Sequence, residues 1–103
     1  MTLIFNIEYR TNWGEEVRVL GNIPELGNSN PEQAVALYTI DGIHWTAEVS
    51  IKQPKNGKVQ YSYHIYYGGN VVRSEWNYLP RTLYVSGASK KTYRIEDCWK
   101  NIP

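Results

Sequence analysis

Across 103 residues there is a single cysteine, Cys98, so no internal disulfide can form. A disulfide-stapled secreted scaffold is excluded, and a reducing compartment fits. Metal sites spaced as C-x-x-C or H-x-x-x-H are excluded too, because the two histidines, His44 and His64, stand apart. No charge of one sign dominates: eleven Lys and Arg against ten Asp and Glu give a formal net charge of +1. The basic stripe of a nucleic-acid binder is missing. Lys52, Lys55 and Lys58 gather loosely around one turn and Lys90 and Lys91 around another, as solvated turns do. Long apolar runs are absent. The start, Met1-Thr2-Leu3-Ile4-Phe5-Asn6-Ile7-Glu8, lacks a basic segment and is broken by Asn6 and Glu8, so it reads as neither signal peptide nor membrane span. The expectation is a cytoplasmic chain with no membrane partner. No glycine-rich phosphate loop appears, and Gly68-Gly69 reads as a hairpin, so no cofactor is expected.

Catalytic constellations are also missing. A glycoside hydrolase needs two converging carboxylates. Glu75 beside Trp76 and Glu15-Glu16 after Trp13 are available, but nothing in their spacing makes them face each other. A Cys–His pair would put its nucleophile, Cys98, in the C-terminal tail, a poor place for a rigid site. The chain reads as non-catalytic.

What the sequence does contain is aromatic surface. Nine Tyr and four Trp accompany a single Phe. Tyr and Trp combine an apolar body with a polar tip and suit half-wet binding surfaces, although strands also favour them. Period-2 alternation is the dominant pattern. Leu3, Phe5, Ile7 and Tyr9 share one face of a first strand; Val17 and Val19 belong to a second that stops at Gly21. Ala34–Tyr38 reads as a third. Trp45, Ala47, Val49 and Ile51 share a face of a fourth, and Val59, Tyr61, Tyr63 and Ile65 of a fifth, with His44 and His64 turned outward. Val71–Trp76, Thr82–Val85 and Thr92–Ile95 add three short strands. Asp41-Gly42, Asn56-Gly57 and Gly68-Gly69 are two-residue hairpin signals between such runs, and Ile23–Gly27 reads as one helical turn. The expected fold is an all-β, immunoglobulin-like antiparallel sandwich of seven to eight short strands. The module is expected over residues 1–97, with 98–103 beginning a linker.

The strand faces sort the aromatics. Trp45, Tyr61 and Tyr63 sit among aliphatic neighbours and read as core. Trp13 lies in the polar loop Thr11-Asn12-Trp13-Gly14-Glu15-Glu16, and Trp76 lies where a strand runs into Asn77-Tyr78. Both read as exposed, and Tyr38, at the mouth of the Asp41-Gly42 turn, joins them as a candidate. A glucose ring offers an apolar C–H face to such a platform and a rim of hydroxyls to Asn, Glu, Arg and Ser side chains. Covering ~60–80 Å² of apolar surface is worth roughly 2 kcal/mol. Two such rings imply a Kd between ~1 µM and ~1 mM after ordering costs.

On these residues the chain resembles the starch-binding domains of carbohydrate-binding module family 20. One anchor is the run from Asn12-Trp13-Gly14-Glu15 through Gly21 to Glu25-Leu26-Gly27-Asn28. The other is Tyr61-Ser62-Tyr63, then Glu75-Trp76, then Pro80-Arg81. The resemblance implies two glucan sites. In the first, Trp76 matches the second tryptophan, Ser29 stands where the first is usual, Ser62 stands at the usual Lys, and Leu79-Pro80 replaces the Asn before Arg81. Such a site would be weakened or rebuilt with Tyr78, Asn77 or Asn28, with Glu75 and Arg81 alongside. In the second, Trp13 matches one aromatic, and Tyr38 is the candidate for the other. The Glu75-Trp76 order and the tail Glu96–Pro103 further resemble N-terminal modules of cytosolic disproportionating-type 4-α-glucanotransferases. That implies starch, glycogen or maltooligosaccharide as partner and a covalently linked amylomaltase domain beyond Pro103. The competing readings are a glycogen-binding module of another enzyme and an immunoglobulin-like protein-interaction domain.

Overall fold

The computed structural model describes residues 1–76, 78–85 and 90–101. Among them run eight strands: β1 (Thr2–Glu8), β2 (Glu15–Gly21), β3 (Val35–Ala36), β4 (His44–Ser50), β5 (Lys58–Tyr67), β6 (Asn70–Ser74), β7 (Arg81–Tyr84) and β8 (Thr92–Cys98). One sheet has the order β4-β1-β8; the other has the order β3-β2-β5-β6, with β7 also paired to β5. Alternation decides which face is buried. Leu3, Phe5 and Ile7 of β1 meet Val17 and Val19 of β2 and Val59, Tyr61, Tyr63 and Ile65 of β5 in one core between the sheets. The expected sandwich is therefore present. Its pairings are antiparallel with one addition: β1 and β8 run parallel, Phe5 opposite Ile95. A parallel pair needs a long connection, and here nearly the whole chain lies between the two strands.

The interior is aromatic as well as aliphatic. Phe5 meets Tyr61 edge to face at 5.2 Å between centroids, and Tyr61 meets Tyr63 at 5.8 Å. Such pairs add to the area they bury. Trp45 is buried, as its strand face implied.

The turns only partly follow their dipeptides. Gly68-Gly69 makes the expected β5–β6 hairpin. Asn56-Gly57 instead joins β4 to β5, which belong to opposite sheets. The third strand, expected over Ala34–Tyr38, is divided between sheets. Val35-Ala36 stays with β2, and Leu37 N–H still bonds the Val17 carbonyl at 2.9 Å. Tyr38 has crossed over and exchanges both backbone hydrogen bonds with Thr46, at 2.8 and 2.9 Å. The helical turn at Ile23–Gly27 is a short 3-10 helix, Pro24–Leu26. Gly27 closes it at φ 91°, where an added Cβ would lie 2.7 Å from the Gln33 carbonyl oxygen, so only glycine fits.

Cys98, Trp99 and Lys100, expected in a linker, are built into the sandwich. β8 runs to Cys98. The Trp99 ring packs on Tyr9 at 4.3 Å between centroids. Lys100 accepts from Trp76 N–H at 2.8 Å and donates its own N–H to Glu75 Oε1 at 3.2 Å.

Candidate functional site

Trp13 sits on the connection between β1 and β2 and is 98% exposed. Its turn is held from several sides. Glu15 N–H bonds the Asn12 carbonyl at 3.0 Å, and Asn12 N–H bonds Glu15 Oε1 at 2.8 Å. Arg73 Nη2 reaches the same Oε1 at 2.6 Å, which holds the Glu15 carboxyl below its ordinary pKa. Gly14 stands at φ 86°, and a Cβ there would lie 2.8 Å from the Tyr67 ring. An indole left in water on a braced turn is an apolar surface awaiting a cover.

Facing Trp13 is the loop that leaves Tyr38 and returns at His44. Trp13, Asn12 and Thr11 on one side and Thr39, Ile40 and Asp41 on the other line a groove of ≈ 480 Å³. A second groove, ≈ 530 Å³, is lined by Tyr38, Ile40, His44 and Thr46 with Asn6, Glu8 and Glu96 of the three-stranded sheet. Thr39 and Ile40 line both, so residues 38–42 form a ridge with Trp13 on one side and Tyr38 on the other. Tyr38 is 65% exposed and Ile40 87%. Asp41 fixes the ridge: Oδ1 accepts the N–H groups of Ile43 and His44, each at 2.8 Å, and Oδ2 meets His44 Nδ1 at 2.7 Å. The backbone and side chain of His44 hold the Asp41 carboxyl far below the usual carboxylate range. In return Asp41, helped by Glu8 at 3.1 Å from Nε2, raises the pKa of His44.

The other expected site divides into exposed and enclosed residues. Trp76 is half-buried rather than fully exposed, its backbone N–H bonded to the Lys100 carbonyl, and Tyr78 beside it is exposed. Their rings lie nearly parallel, 15° apart with centroids 6.4 Å apart. Asn77 falls outside the described residues. Glu75, expected at the sugar rim, is instead enclosed, with a side chain 0% exposed. Oε2 accepts Tyr63 N–H at 3.1 Å and Arg81 Nε at 3.0 Å; Oε1 accepts Arg81 Nη2 at 2.9 Å and Lys100 N–H. The strands explain this. β6 leaves β5 at His64 and β7 joins it at Tyr61, so Tyr63 N–H has no strand partner and takes a carboxylate.

Arg81 is committed in the same way. Nη1 lies 3.1 Å from Asp97 Oδ1, and Nη2 also reaches the Cys98 carbonyl. Asp97 Oδ2 accepts both the Tyr61 and Tyr63 hydroxyls at 2.8 Å. Burial, with the Asp97 charge adding to it, pushes both phenols well above their ordinary pKa. Glu75 and Arg81 thus belong to a network tying β8 to β5 beneath the Trp76–Tyr78 surface.

Ser62 is buried, its Oγ 2.8 Å from His64 Nε2, and His64 Nδ1 lies 2.7 Å from Ser74 Oγ. His64, expected on the outward strand face, is buried with both ring nitrogens held by these serines; burial lowers its pKa. Ser62 still borders a small groove of ≈ 180 Å³ with Asn22, Ser29, Gln60 and Pro80. Ser29 and exposed Asn28 follow Gly27 at φ 64° and 56°, a left-handed turn that carries no aromatic.

Sequence reasoning missed Ile40, Asp41 and His44 as the frame of the Tyr38 ridge. The signal was Asp41-Gly42 with a ring-bearing His three residues on, where an aspartate can cap a turn. It also missed that Trp45 borders the Trp13 groove and that its Nε1 is buried without a partner among the described residues. No group of three or more His, Cys, Asp or Glu among the described residues is placed to hold a metal ion, and no helix among them is long and apolar enough to cross a membrane.

The sequence profile of the starch binding domain family matches residues 1–95. The chain is 27% identical over 106 residues to the 4-alpha-glucanotransferase DPE2 of Oryza sativa subsp. japonica, covering 98% of this chain and 11% of that protein. It superposes on the Hypocrea jecorina family 15 glucoamylase with a TM-score of 0.82 and 26% identity, over 96% of this chain and 17% of that one. The family 20 carbohydrate-binding module of the maltotetraose-forming amylase from Pseudomonas saccharophila STB07 shares the fold. Its TM-score is 0.72 at 18% identity, and the match covers 94% of this chain and 100% of that one. The chain therefore spans about a tenth of the plant relative and about a sixth of the glucoamylase.

Proposed function

The chain belongs to the starch binding domain family, and from that premise we propose that it holds α-glucan on two aromatic surfaces, led by Trp13. Family membership makes it a carbohydrate-binding module and not a catalytic domain. The observation that carries the choice of surface is the 98% exposure of Trp13 on a turn braced by Asn12, Glu15 and Arg73. A ring held ready in water loses little freedom when a sugar covers it. Thr11, Asn12, Thr39 and Asp41 stand around it to meet hydroxyls, and the Tyr38–Ile40 ridge offers apolar surface for the next residues of the glucan. The second surface is the Trp76–Tyr78 pair, with Ser29, Ser62, Asn22 and Gln60 in the neighbouring groove. There, Ser replaces both an aromatic and a cation of the family pattern, so this surface is the weaker of the two.

The ligand is starch, glycogen or a maltooligosaccharide. The parent protein we propose is a cytoplasmic 4-α-glucanotransferase, supported by the rice relative matched over 98% of this chain and by Cys98 being the one cysteine. In such a protein the module raises the effective concentration of polysaccharide at an active site elsewhere and does no bond chemistry. Affinity electrophoresis with and without soluble starch tests the reading: the chain is retarded by starch, and the Trp13→Ala/Trp76→Ala double variant is not. Equal retardation of both proteins would put the protein-interaction reading in its place.

A further inference from the structure

Four of the five arginines are ion-paired to carboxylates: Arg18 to Glu16, Arg73 to Glu15, Arg81 to Glu75 and Asp97, and Arg94 to Glu96. Lys52, Lys55 and Lys58 have no such partner among the described residues, and all three line one groove of ≈ 490 Å³. The groove is braced. Glu25 Oε2 accepts Lys52 N–H at 2.7 Å and fastens the 3-10 turn to the end of β4. Asn22 and Gln60 exchange two bonds of 3.0 Å, one from each backbone N–H, which fasten the same wall to β5. Gly57 N–H closes the lysine-bearing turn on the Pro54 carbonyl at 3.1 Å. Among the described residues Glu25 is the one carboxylate lining the groove, so three cations less one anion leave +2. Asn22 also lines the Ser29–Ser62 groove, so the two grooves are neighbours that share this wall.

From this charge and adjacency we propose that the lysine groove receives a phosphate monoester carried by the bound glucan. The inference rests on the glucan-binding reading and adds a ligand feature to it. A phosphate monoester carries a charge of about −1.5 to −2 near neutral pH, the complement of +2. A glucan lying along Ser29, Ser62 and Asn22 brings its substituents to the mouth of the groove. Pro24 and Pro54 then cover the apolar face of the sugar that bears the ester.

The test compares phosphorylated amylopectin with the same polymer after phosphatase treatment. Both are titrated into the wild-type chain and the Lys52→Gln/Lys55→Gln/Lys58→Gln variant, with melting curves to confirm that the variant is folded. Wild type binds the phosphorylated polymer about tenfold tighter at low salt. That preference fades near ~0.3 M salt, where screening is effective within several ångströms. The variant binds both polymers alike, at the wild-type affinity for the dephosphorylated one. A wild type that treats the two polymers equally, or a variant that keeps the preference, overturns the proposal. So does competition by inorganic phosphate as strong as that by phosphorylated glucan, since the groove would then read free phosphate alone. Failure to bind either polymer strikes instead at the glucan-binding reading.

Discussion

Arg81 meets Glu75 with two nitrogens, Nε to Oε2 at 3.0 Å and Nη2 to Oε1 at 2.9 Å, and the glutamate side chain is wholly enclosed. The pair fills a gap that strand pairing leaves open. Glu75 serves the Tyr63 N–H that neither β6 nor β7 covers, and Arg81 carries the contact to Asp97 on the opposite sheet. A buried pair is weak evidence of net stabilisation, but breaking one leaves an uncompensated charge.

Glu75→Gln should therefore destabilise the fold by roughly 3–5 kcal/mol, and Arg81→Gln by a similar amount. The double variant should lose less than the sum, because the charges depart together. Urea denaturation of the four proteins measures this. A Glu75→Gln protein as stable as wild type but without starch affinity would return Glu75 to the sugar rim.

Trp45 is the largest ring of the interior near the Trp13 groove. Trp45→Ala should cost roughly 3–5 kcal/mol. Trp45→Phe should cost less, since it keeps most of the packing and removes the buried Nε1–H that has no partner. Thermal melts of the two variants give the order. Trp45→Ala melting like wild type while losing affinity would make Trp45 a ligand residue rather than core.

Trp13→Ala should change stability by no more than ~0.5 kcal/mol, because the ring touches so little, and weaken maltoheptaose binding by up to ~2 kcal/mol. Trp76→Ala should show a stability cost as well, since Trp76 is half-buried, and the smaller loss of affinity. Calorimetric titration of both single variants and the double variant decides which surface dominates. A larger affinity loss at Trp76 would reverse the ranking.

The two histidines should titrate on opposite sides of the ordinary value. Asp41, then Glu8, raises His44, so its pairing supports the ridge fully below the unfolded pKa, ~6.5, and fades as pH rises through the higher folded value. Burial lowers His64, so its contribution is present above ~6.5 and is lost as pH falls through the lower folded value. NMR titration of the imidazole protons reads both. Asp41→Asn should bring His44 down and leave His64 unmoved; a His44 that does not respond would remove Asp41 as the cause.

Trp99→Ala should cost about 1–2 kcal/mol through the lost contact with Tyr9. A chain ending at Asp97 should lose more, because the Lys100 bonds to Glu75 and Trp76 go with it. Denaturation midpoints of the two measure this, and a truncated chain as stable as the full one would return residues 98–100 to a linker.

The sequence by itself determined an all-β sandwich of about eight strands, the core face of β1, β2, β4 and β5, and the exposure of Trp13. Those features depend on residues two apart or on a short polar loop, and local chemistry is legible locally. Only the tertiary structure decided what Glu75, Arg81 and His64 do. Their partners come from elements brought together by sheet order: Asp97 lies on the opposite sheet, and the gap opposite Tyr63 exists because β6 and β7 share one edge of β5. The crossing of Tyr38 from β2 to β4 has the same origin. Period-2 alternation fixes which side a ring faces, but a strand's hydrogen-bonding edge is filled by whichever neighbour the whole chain delivers.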